Sequence, residues 1–471
     1  MTNAGRRIGV VGAGFSGTLV TAQLLRQCRP GDRIYLFERG SSFGRGLAYS
    51  TENPEHLLNV RASNMGAFPD APRHFHDWLA TRSGEGGNAG AEPLHPDSFV
   101  ARQQYGAYLE DLLRQAISAR ASEIAVSLVN QRVVDVREGD AGGLLIVTDA
   151  GAHEVDAVVL ATGNPPPDES TPGYFGDPWA PGAVDGLPPD APVLLIGTGL
   201  TMVDVVLSLL RRGHAGRIHA VSRRGLMPRR HAPVAGGWSI ELSARARRSA
   251  LAACREVRAN VDLAARSGVG WRAVIDALRP VTQDLWRGWP LAEKRRFLRH
   301  LRPWWDVHRH RMAPSVADAI SEAVDRGQLI VEAGRIRIEQ ERGSAIAVRV
   351  KPRGSEVARR LTVDRIINCT GPRSDYSSIR DPLFEALIGR GTVRPDALRL
   401  GIDVAESGAV IGRDGQISDR IFALGPVTKG IFWEIVAVPD IRAQCEALAG
   451  HILRTLDRRA VRAPEGLPAP R

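Results

Sequence analysis

The apolar and glycine positions at the start of the chain predict a strand, a tight turn and a helix. A short apolar strand, residues 8–11, runs directly into Gly12-Ala13-Gly14-Phe15-Ser16-Gly17. In a Gly-x-Gly-x-x-Gly turn the first glycine makes the turn, the second lets the backbone approach a pyrophosphate, and the third lets helix and strand pack closely. The N-terminus of the helix then faces the phosphates.

A second predicted strand, residues 33–37, ends at Glu38. This is the offset at which an acidic side chain accepts hydrogen bonds from an adenosine ribose. Strand, helix and acidic residue together supply the context that the glycine pattern requires, so the stretch predicts a dinucleotide-binding unit. An ordinary glycine turn is the alternative.

The same pattern returns in the middle of the chain. Apolar residues 193–196 lead into Gly197-Thr198-Gly199 and a predicted helix over 201–212, with Met202 where the third glycine would stand. The next strand, 217–221, ends in Ser222-Arg223-Arg224 where the first unit has Glu38. Serine and arginine can hold a 2′-phosphate, whereas an acidic residue favours a free ribose hydroxyl. The exchange favours NADPH over NADH; arginines that merely end a strand are the alternative.

Two sets of three short extended runs predict an internal repeat. The first set, 132–136, 144–148 and 155–160, ends before a Thr-Gly pair, and the second set, 336–339, 346–350 and 363–368, does the same. Residues from about 240 to 325 are helical and polar in pattern, with tryptophans suited to a core. A final helix is predicted from about residue 439 to 453, with disorder from Asp457 onward.

These elements predict an α/β fold class with two Rossmann-like, dinucleotide-binding domains. Each domain is expected to have a three-layer ββα architecture. We place one domain at residues 1–165 and 335–471, and the other at 166–334, inserted into the first and carrying the helical insertion at about 240–325.

The net charge of +10 comes mostly from arginine. Nucleic-acid binding is disfavoured because the basic residues lack interleaved aromatics and no nucleic-acid motif is present. The first strand begins close to Met1 and no apolar run could span a bilayer, so we expect a cytoplasmic protein without membrane association. Reaction partners are then a small molecule and O₂, and a homo-oligomer is possible.

Cysteine and histidine spacing argues against a redox dithiol or a metal centre. No Cys-x-x-Cys is present, and the alternate spacing of His308 and His310 is not that of a helical ligand pair. The widely scattered cysteines are Cys28, Cys254, Cys369 and Cys445.

The chain resembles the flavoproteins with two dinucleotide-binding domains, specifically the bacterial FAD/NAD(P)-binding proteins allied to flavin-containing monooxygenases and amine N-hydroxylases. The resemblance rests on the two glycine turns with Glu38, on residues 46–49, 56–62 and 161–163, and on the closing segment 421–426. It implies FAD on the first domain, NAD(P)H on the inserted one, and the closing segment against the flavin. Pro426 stands where disulfide reductases place an aspartate for the ribityl chain, which leaves that contact unassigned.

The resemblance and the two turns together give the expected site residues. Asn59 and Arg61 are expected near the flavin, and Trp433 and Glu434 near the substrate; simple core packing is the alternative for Trp433. No metal ligand is expected. The residues expected to bind the cofactors, FAD and NADPH, are Gly12, Gly14, Phe15, Ser16, Gly17, Glu38, Arg39, Arg45, Leu47, Ala48, Tyr49, Asn59, Val60, Ala161, Thr162, Gly163, Gly197, Gly199, Leu200, Thr201, Ser222, Arg223, Arg224, Thr370, Gly371, Gly425 and Pro426.

Two nucleotide sites in one chain make chemical sense if hydride passes from nicotinamide to flavin. The first hypothesis is an FAD-dependent, NADPH-using monooxygenase that transfers one oxygen atom from O₂ to an amine nitrogen or thioether sulfur through a C4a-peroxyflavin. The second is an FAD/NAD(P)H oxidoreductase that passes electrons to a small acceptor or a protein partner without oxygen insertion. The third is a nucleotide-binding sensor or scaffold whose flavin is structural.

Overall fold

The structure is a computed structural model that describes residues 5–86, 95–140, 142–165, 167, 170–234, 236–339 and 345–462. The chain divides into two compact units. The first consists of Met1–Glu52, Val60–Pro165 and Arg373–Arg471, and the second of Asn53–Asn59 and Pro166–Pro372. The second unit is therefore inserted into the sequence of the first, and a short earlier segment also belongs to it.

The elements follow one another in three stretches of the chain. Those before the insertion are β1 (Arg7–Val11), α1 (Phe15–Gln27), β2 (Arg33–Phe37), α2 (Gly46–Tyr49), α3 (His74–Gly86), α4 (Arg102–Ser118), β3 (Ala125–Val129), β4 (Val133–Glu138), β5 (Leu144–Thr148), β6 (Ala152–Val155) and β7 (Ala157–Leu160). Those of the insertion are β8 (Tyr174–Phe175), β9 (Val193–Ile196), α5 (Leu200–Arg211), β10 (Ile218–Ser222), α6 (Ala250–Arg266), α7 (Trp271–Ala277), α8 (Thr282–Gly288), α9 (Leu291–His300), α10 (Arg302–Arg309), α11 (Pro314–Asp325), β11 (Leu329–Ile338), β12 (Ile346–Pro352), β13 (Arg359–Val363) and β14 (Arg365–Asn368). Those after it are α12 (Pro382–Arg390), β15 (Ala409–Ile411), β16 (Ile417–Ala423) and α13 (Val438–Arg462).

The first unit is built on a six-stranded sheet in the order β15-β16-β7-β1-β2-β3. All its pairings are parallel except β15 with β16. The central strands β1 and β7 are short apolar runs that are almost completely buried, as expected for parallel strands covered on both faces. A separate three-stranded antiparallel sheet, β4-β5-β6, forms the second β-layer.

The second unit has a seven-stranded sheet in the order β13-β12-β11-β10-β9-β14-β8. Strand β11 pairs in parallel with β10 along its first half and antiparallel with β12 along its second half. The prediction ended the inserted domain at residue 334, whereas the compact unit continues to Pro372. The reason is that β12, β13 and β14 all extend the sheet that β9 and β10 begin.

The last extended run of each predicted repeat is interrupted in the structure, although each was predicted to be one continuous strand. The predicted strand 155–160 is two strands separated by Asp156, and the predicted strand 363–368 is two strands separated by Asp364. At both breaks the aspartate backbone N–H donates to a residue at or just before the start of a parallel strand, to Arg7 O at 2.7 Å and to Pro192 O at 2.9 Å. The chain thus passes from an antiparallel strand to a parallel one at the same step in both units, between two sheets in the first unit and within one sheet in the second.

The helical insertion lies in the second unit and is confirmed as α6–α11. Its core contains Trp286, Trp289 and Phe297, whose ring centroids are 5.4–6.4 Å apart. The Trp289 indole N–H donates to Ala246 O at 3.0 Å, so its polar group is satisfied inside that core. Trp304, by contrast, is 44% exposed.

The C-terminal helix α13 is longer than predicted. It runs through Asp457 to Arg462, so the expectation of disorder from Asp457 is wrong for these residues, and residues 463–471 lie outside the described part of the chain. Asp457 lies 3.2 Å from the guanidinium of Arg6, which anchors this last part of the helix. Within the described residues, no helix combines the length and apolar character needed to cross a membrane.

Asp32 is a buried carboxylate in the first unit and forms an ion pair with Arg6. It is completely buried and lies 2.6 Å from the Arg6 guanidinium. Burial alone raises the pKa of Asp32, but hydrogen bonds from the side chain and backbone of Arg6 and from the backbone of Arg29 lower it below its ordinary value. A carboxylate with a depressed native pKa stabilises the fold above its unfolded pKa and loses that contribution as pH falls.

We expect Asp32→Asn to lower the free energy of unfolding by about 3 kcal/mol, because it removes one partner of a buried ion pair. Urea unfolding followed by tryptophan fluorescence measures the change. The difference between wild type and variant is expected to shrink as pH falls below about 4, because the Asp32 carboxyl is protonated first in the unfolded state and only at lower pH in the folded one. Asp70→Asn is the matched control, because the Arg26–Asp70 pair is exposed and should contribute less than about 1 kcal/mol. Equal losses in the two variants would contradict this account.

Candidate functional site

The first glycine turn joins β1 to α1 and is fixed by contacts that exclude side chains. Gly12 has φ +98°, and a β-carbon there would lie 2.6 Å from the carbonyl oxygen of Ala161. A β-carbon on Gly17 would lie 1.8 Å from the Gly12 carbonyl oxygen. Turn and helix therefore pack against each other and against the end of β7 in a way that only glycine allows.

The ends of three parallel strands meet beside this turn. Ala161, Thr162 and Gly163 directly follow β7, and Gly425 closely follows β16, which pairs in parallel with β7. Gly425 has φ +75°, and a β-carbon there would lie 2.6 Å from Ser16 Oγ in the first turn of α1. In a sheet of this order, the crevice between β1 and β7 is where α/β proteins bind dinucleotides. Pro426 lies within the short 3₁₀ turn Gly425–Thr428.

Glu38 lies beside the glycine turn. Its Oε2 accepts a hydrogen bond from the Ala13 N–H at 2.8 Å, and its Oε1 accepts one from the Gly40 N–H at 3.0 Å. The neighbouring Arg39 is exposed. Asn130, which the sequence analysis did not single out, donates to the Glu38 carbonyl oxygen at 3.0 Å. The carboxylate is thus held at the carboxyl end of β2.

The segment 44–49 contributes both buried and exposed residues. Gly46 has φ +54°, and a β-carbon there would lie 2.8 Å from the Cα of Gly14. The Arg45 guanidinium binds both carboxylate oxygens of Glu110, at 2.6 and 2.9 Å. Leu47 is 60% exposed and Ala48 is also exposed.

Tyr49 is half-buried and belongs to an aromatic cluster. Its ring lies 6.0 Å from that of Phe15 and 4.7 Å from that of Tyr105. Desolvation raises the pKa of Tyr49 to about 12, so its phenol stays protonated at neutral pH. These ring contacts pack Phe15, the first residue of α1, against Tyr49 at the end of α2.

Asn59 and Arg61 belong to different compact units. Asn59 is the last residue of the segment 53–59 that joins the second unit, where its carbonyl oxygen lies 3.1 Å from His231 Nε2. Val60 and Arg61 belong to the first unit, and Arg61 forms an ion pair with Asp97 at 3.1 Å.

His56 anchors the segment 53–59 in the second unit. Its Nε2 lies 3.0 Å from the Asp204 carbonyl oxygen and 2.9 Å from Ser208 Oγ, both on α5. The imidazole is 3% exposed. His56 is not among the predicted site residues, although it begins the segment 56–62 that carries part of the family resemblance, because a histidine in a sequence does not reveal its partners on another element.

Trp433 and Glu434 lie between the 3₁₀ turn Gly425–Thr428 and α13. Both are buried, with 2% and 6% exposure. The Lys429 ammonium lies 5.1 Å from the centroid of the Trp433 ring. Glu434 has φ +67°, a left-handed conformation that is unusual for a residue with a side chain.

The second glycine turn repeats the geometry of the first. Gly197 has φ +110°, and a β-carbon there would lie 2.6 Å from the carbonyl oxygen of Cys369, which directly follows β14. Met202, at the third position of the pattern, is completely buried in α5. Thr370 and Gly371 follow at the strand end and are exposed, with Gly371 at φ +86°.

Gly199 is a glycine that the protein's own packing does not require. Its φ is −86°, which any residue can adopt, and a β-carbon there would meet no atom of the described residues within 4 Å. Leu200 and Thr201 follow it as the partly exposed first residues of α5. A β-carbon would fill space in front of the helix N-terminus, where a dinucleotide phosphate is bound in such turns. The residues present therefore fit a dinucleotide.

The residues expected to bind the 2′-phosphate of NADPH lie at the end of β10. Ser222 Oγ lies 2.9 Å from Thr198 Oγ1 and accepts the Gly225 N–H at 3.0 Å, so this hydroxyl ties the strand end to the glycine turn. Arg223 is exposed. Arg224 donates to His300 O at 3.4 Å, which links it to α9.

Comparison with known proteins supports the nucleotide-binding assignment. Residues 9–165 match the family model described as FAD-NAD(P)-binding. Over 239 residues the chain is 29% identical to an L-aspartate N-monooxygenase (nitrosuccinate-forming) from Streptomyces cremeus, an alignment that covers 39% of this chain and 36% of that relative. The alignment thus spans about a third of the relative's length.

Solved structures share the fold along nearly the whole chain. The cadaverine monooxygenase of desferrioxamine biosynthesis from Erwinia amylovora matches with a TM-score of 0.63 at 14% identity, covering 100% of both chains. The ornithine N-hydroxylase of Kutzneria sp. 744 matches with a TM-score of 0.61 at 16% identity, covering 97% of this chain and 99% of that one.

Gly199→Ala should separate ligand binding from folding. Because no atom in the described part of the chain opposes the new methyl group, we expect the thermal midpoint of the ligand-free protein to change little, corresponding to less than about 0.5 kcal/mol. NADPH affinity should fall by about 10-fold or more, since the phosphate would have to move away from the helix N-terminus. Gly17→Ala is the contrasting variant and should destabilise the ligand-free protein itself. Unchanged nucleotide affinity in Gly199→Ala, measured by titration calorimetry, would contradict the assignment.

The strand order, the two glycine turns and the family match agree with one another. Residues 9–165 match an FAD-NAD(P)-binding family model, in a chain that is homologous over part of its length to an L-aspartate N-monooxygenase and has the fold of the ornithine and cadaverine N-hydroxylases.

Proposed function

We propose that the protein is an FAD-dependent, NADPH-using monooxygenase that transfers one oxygen atom from O₂ to the amine nitrogen of a small amino-acid substrate. The observation that carries the proposal is the presence of the same glycine-turn geometry in both units, with Gly12 against Ala161 and Gly197 against Cys369. Two dinucleotide sites suit the transfer of hydride from one cofactor to the other. The names of the similar proteins supply the reaction class.

The first unit would hold FAD. The N-terminus of α1 at Phe15 and Ser16 would face the pyrophosphate, and Glu38 would accept hydrogen bonds from the adenosine ribose. The strand-end residues 161–163 and Gly425 would lie along the rest of the cofactor. Bound FAD would supply hydride acceptance and the activation of O₂.

The second unit would hold NADPH. The turn at Gly199 leaves space for the pyrophosphate, and the exposed Arg223 supplies a guanidinium for the 2′-phosphate. The Ser222 hydroxyl holds this strand end against the glycine turn through its contact with Thr198. Thr370 and Gly371 follow β14, which pairs in parallel with β9, so they lie at the same carboxyl end of the sheet as the turn at Gly199.

Asn59 and Arg61 are proposed near the flavin, and Trp433 and Glu434 near the substrate. A left-handed backbone at a residue such as Glu434 costs about 1–3 kcal/mol and concentrates at functional sites. The strain supports a role for the turn that contains Glu434. Lys429 and Trp433 contribute a cation and an apolar ring to the same segment.

We also propose that the enzyme works in the cytoplasm. Cys28, Cys254, Cys369 and Cys445 are all free thiols, which is typical of proteins in reducing compartments.

The proposal is tested with purified protein, FAD, NADPH and isotopically labelled O₂. A panel of L-aspartate, L-ornithine and cadaverine covers the substrates named for the similar proteins. We expect one of these amines, or a close analogue, to accelerate NADPH oxidation and to yield an N-oxygenated product that carries one labelled oxygen atom. NADPH oxidation that yields only hydrogen peroxide, or that reduces an added electron acceptor instead, would support the oxidoreductase without oxygen insertion. In a parallel assay with a thioether such as L-methionine, a labelled sulfoxide would move the substrate class from amines to sulfur.

Arg223→Ala should change the coenzyme preference. Loss of a charge-assisted contact to the 2′-phosphate should lower kcat/KM for NADPH by about 10- to 100-fold and leave NADH nearly unchanged. Initial rates of flavin reduction with each coenzyme measure the ratio. Arg217→Ala, an exposed arginine just before the opposite end of β10, is the control for loss of charge. An equal effect on both coenzymes would argue against 2′-phosphate recognition.

A further inference from the structure

A closed ring of hydrogen bonds holds the 3₁₀ turn Gly425–Thr428. The Gly425 N–H donates to Gln444 Oε1 at 2.8 Å, Gln444 Nε2 donates to Thr428 Oγ1 at 3.2 Å, and Thr428 Oγ1 donates to Gly425 O at 2.8 Å. Both polar groups of Gly425 are therefore engaged, and each of the three residues donates once and accepts once. Thr428 is completely buried, so its bond to Gly425 is shielded from water, whereas Gln444 is partly exposed and its two bonds are partly buried.

The ring has a fixed direction, and the primary amide of Gln444 completes it. Gln444 must accept at one atom and donate at the other. An ionised glutamate at position 444 would accept from Gly425 but could not donate to Thr428. The ring therefore needs both the acceptor and the donor of the Gln444 side chain, and a residue of equal size without the donor cannot close it.

Cys445, the residue after Gln444, contacts the first turn of α1, which packs against the turn Gly425–Thr428. The Cys445 thiol lies 3.7 Å from the Ser16 carbonyl oxygen and is completely buried. Gly425 and Ser16 already face each other so closely that a β-carbon on Gly425 would lie 2.6 Å from Ser16 Oγ. One turn of α13 therefore holds the closing turn with Gln444 and the first turn of α1 with Cys445.

We propose that Gln444 is a positioning residue for the flavin, a role that rests on the proposed binding of FAD by the first unit. It fixes the turn Gly425–Thr428 against the first turn of α1 and thereby sets the spacing between the two segments that would enclose FAD. Pro426 cannot offer the carboxylate that disulfide reductases place after this glycine. Here the position of the backbone, set by Gln444, takes the place of a side-chain contact.

The test is the affinity of the ligand-free protein for FAD, measured by fluorescence titration without amine, NADPH or oxygen. We expect Gln444→Ala to raise the dissociation constant of FAD by about 10-fold, because it leaves the buried groups of the ring without partners. Thr428→Val should have a similar but smaller effect, and Thr428→Ser should restore wild-type affinity. Gln444→Glu should bind FAD weakly at about pH 8 and shift the flavin midpoint potential downward, since it adds a negative charge behind the flavin-facing turn.

Thr455→Val is the matched control on the same helix. Thr455 is also buried, but its hydroxyl donates to His451 O within α13 and has no link to Gly425. It should lower thermal stability as Thr428→Val does and leave FAD affinity within about two-fold of wild type. If Gln444→Ala and Thr428→Val bind FAD like the control, with unchanged visible spectra, Gln444 is only structural and the inference is overturned.

Failure of the inference can be distinguished from failure of the proposed function. A wild-type protein that does not bind FAD would overturn the proposed function itself. Tight FAD binding by wild type without oxygen transfer to any amine would overturn the monooxygenase proposal and leave the role of Gln444 standing.

Discussion

The contact on which both units depend is that between a glycine after one parallel strand and the carbonyl oxygen after its neighbour. Gly12 meets Ala161, and Gly197 meets Cys369, each at a distance that excludes a β-carbon. This contact brings the carboxyl ends of two strands together directly in front of a helix N-terminus. The charge of that helix end and the open crevice then create a site for phosphate, so the fold itself builds the nucleotide sites before any catalytic side chain is considered.

Much of this architecture could be predicted because glycine patterns report backbone constraints that depend on local sequence. The turns at Gly12 and Gly197, the helices after them and the helical insertion were all predicted correctly. The breaks at Asp156 and Asp364 were not, because each lies within an apolar run and arises from a hydrogen bond to a distant strand, at Arg7 and Pro192. Periodicity cannot report a bond whose partner lies elsewhere in the chain.

The side chains around the sites were harder to predict for the same reason. Ser222 stays a predicted phosphate ligand, but the contact of its hydroxyl with Thr198 across the turn was not predicted. His56 and Gln444 carry no motif, and each acquires its role only from partners on another element. Residues that bind through backbone conformation can be read from sequence, whereas residues that position other residues require the tertiary structure.

The interrupted order of the first unit has a consequence for its synthesis. Strand β16 covers one side of β7, but it leaves the ribosome only after the whole segment Pro166–Pro372 has been made. At typical rates this takes about 10 to 40 s. During that time the fully apolar β7 is an unpaired sheet edge, which is the kind of surface that promotes aggregation. The nascent chain therefore spends this time with one edge of a completely buried strand lacking its native partner.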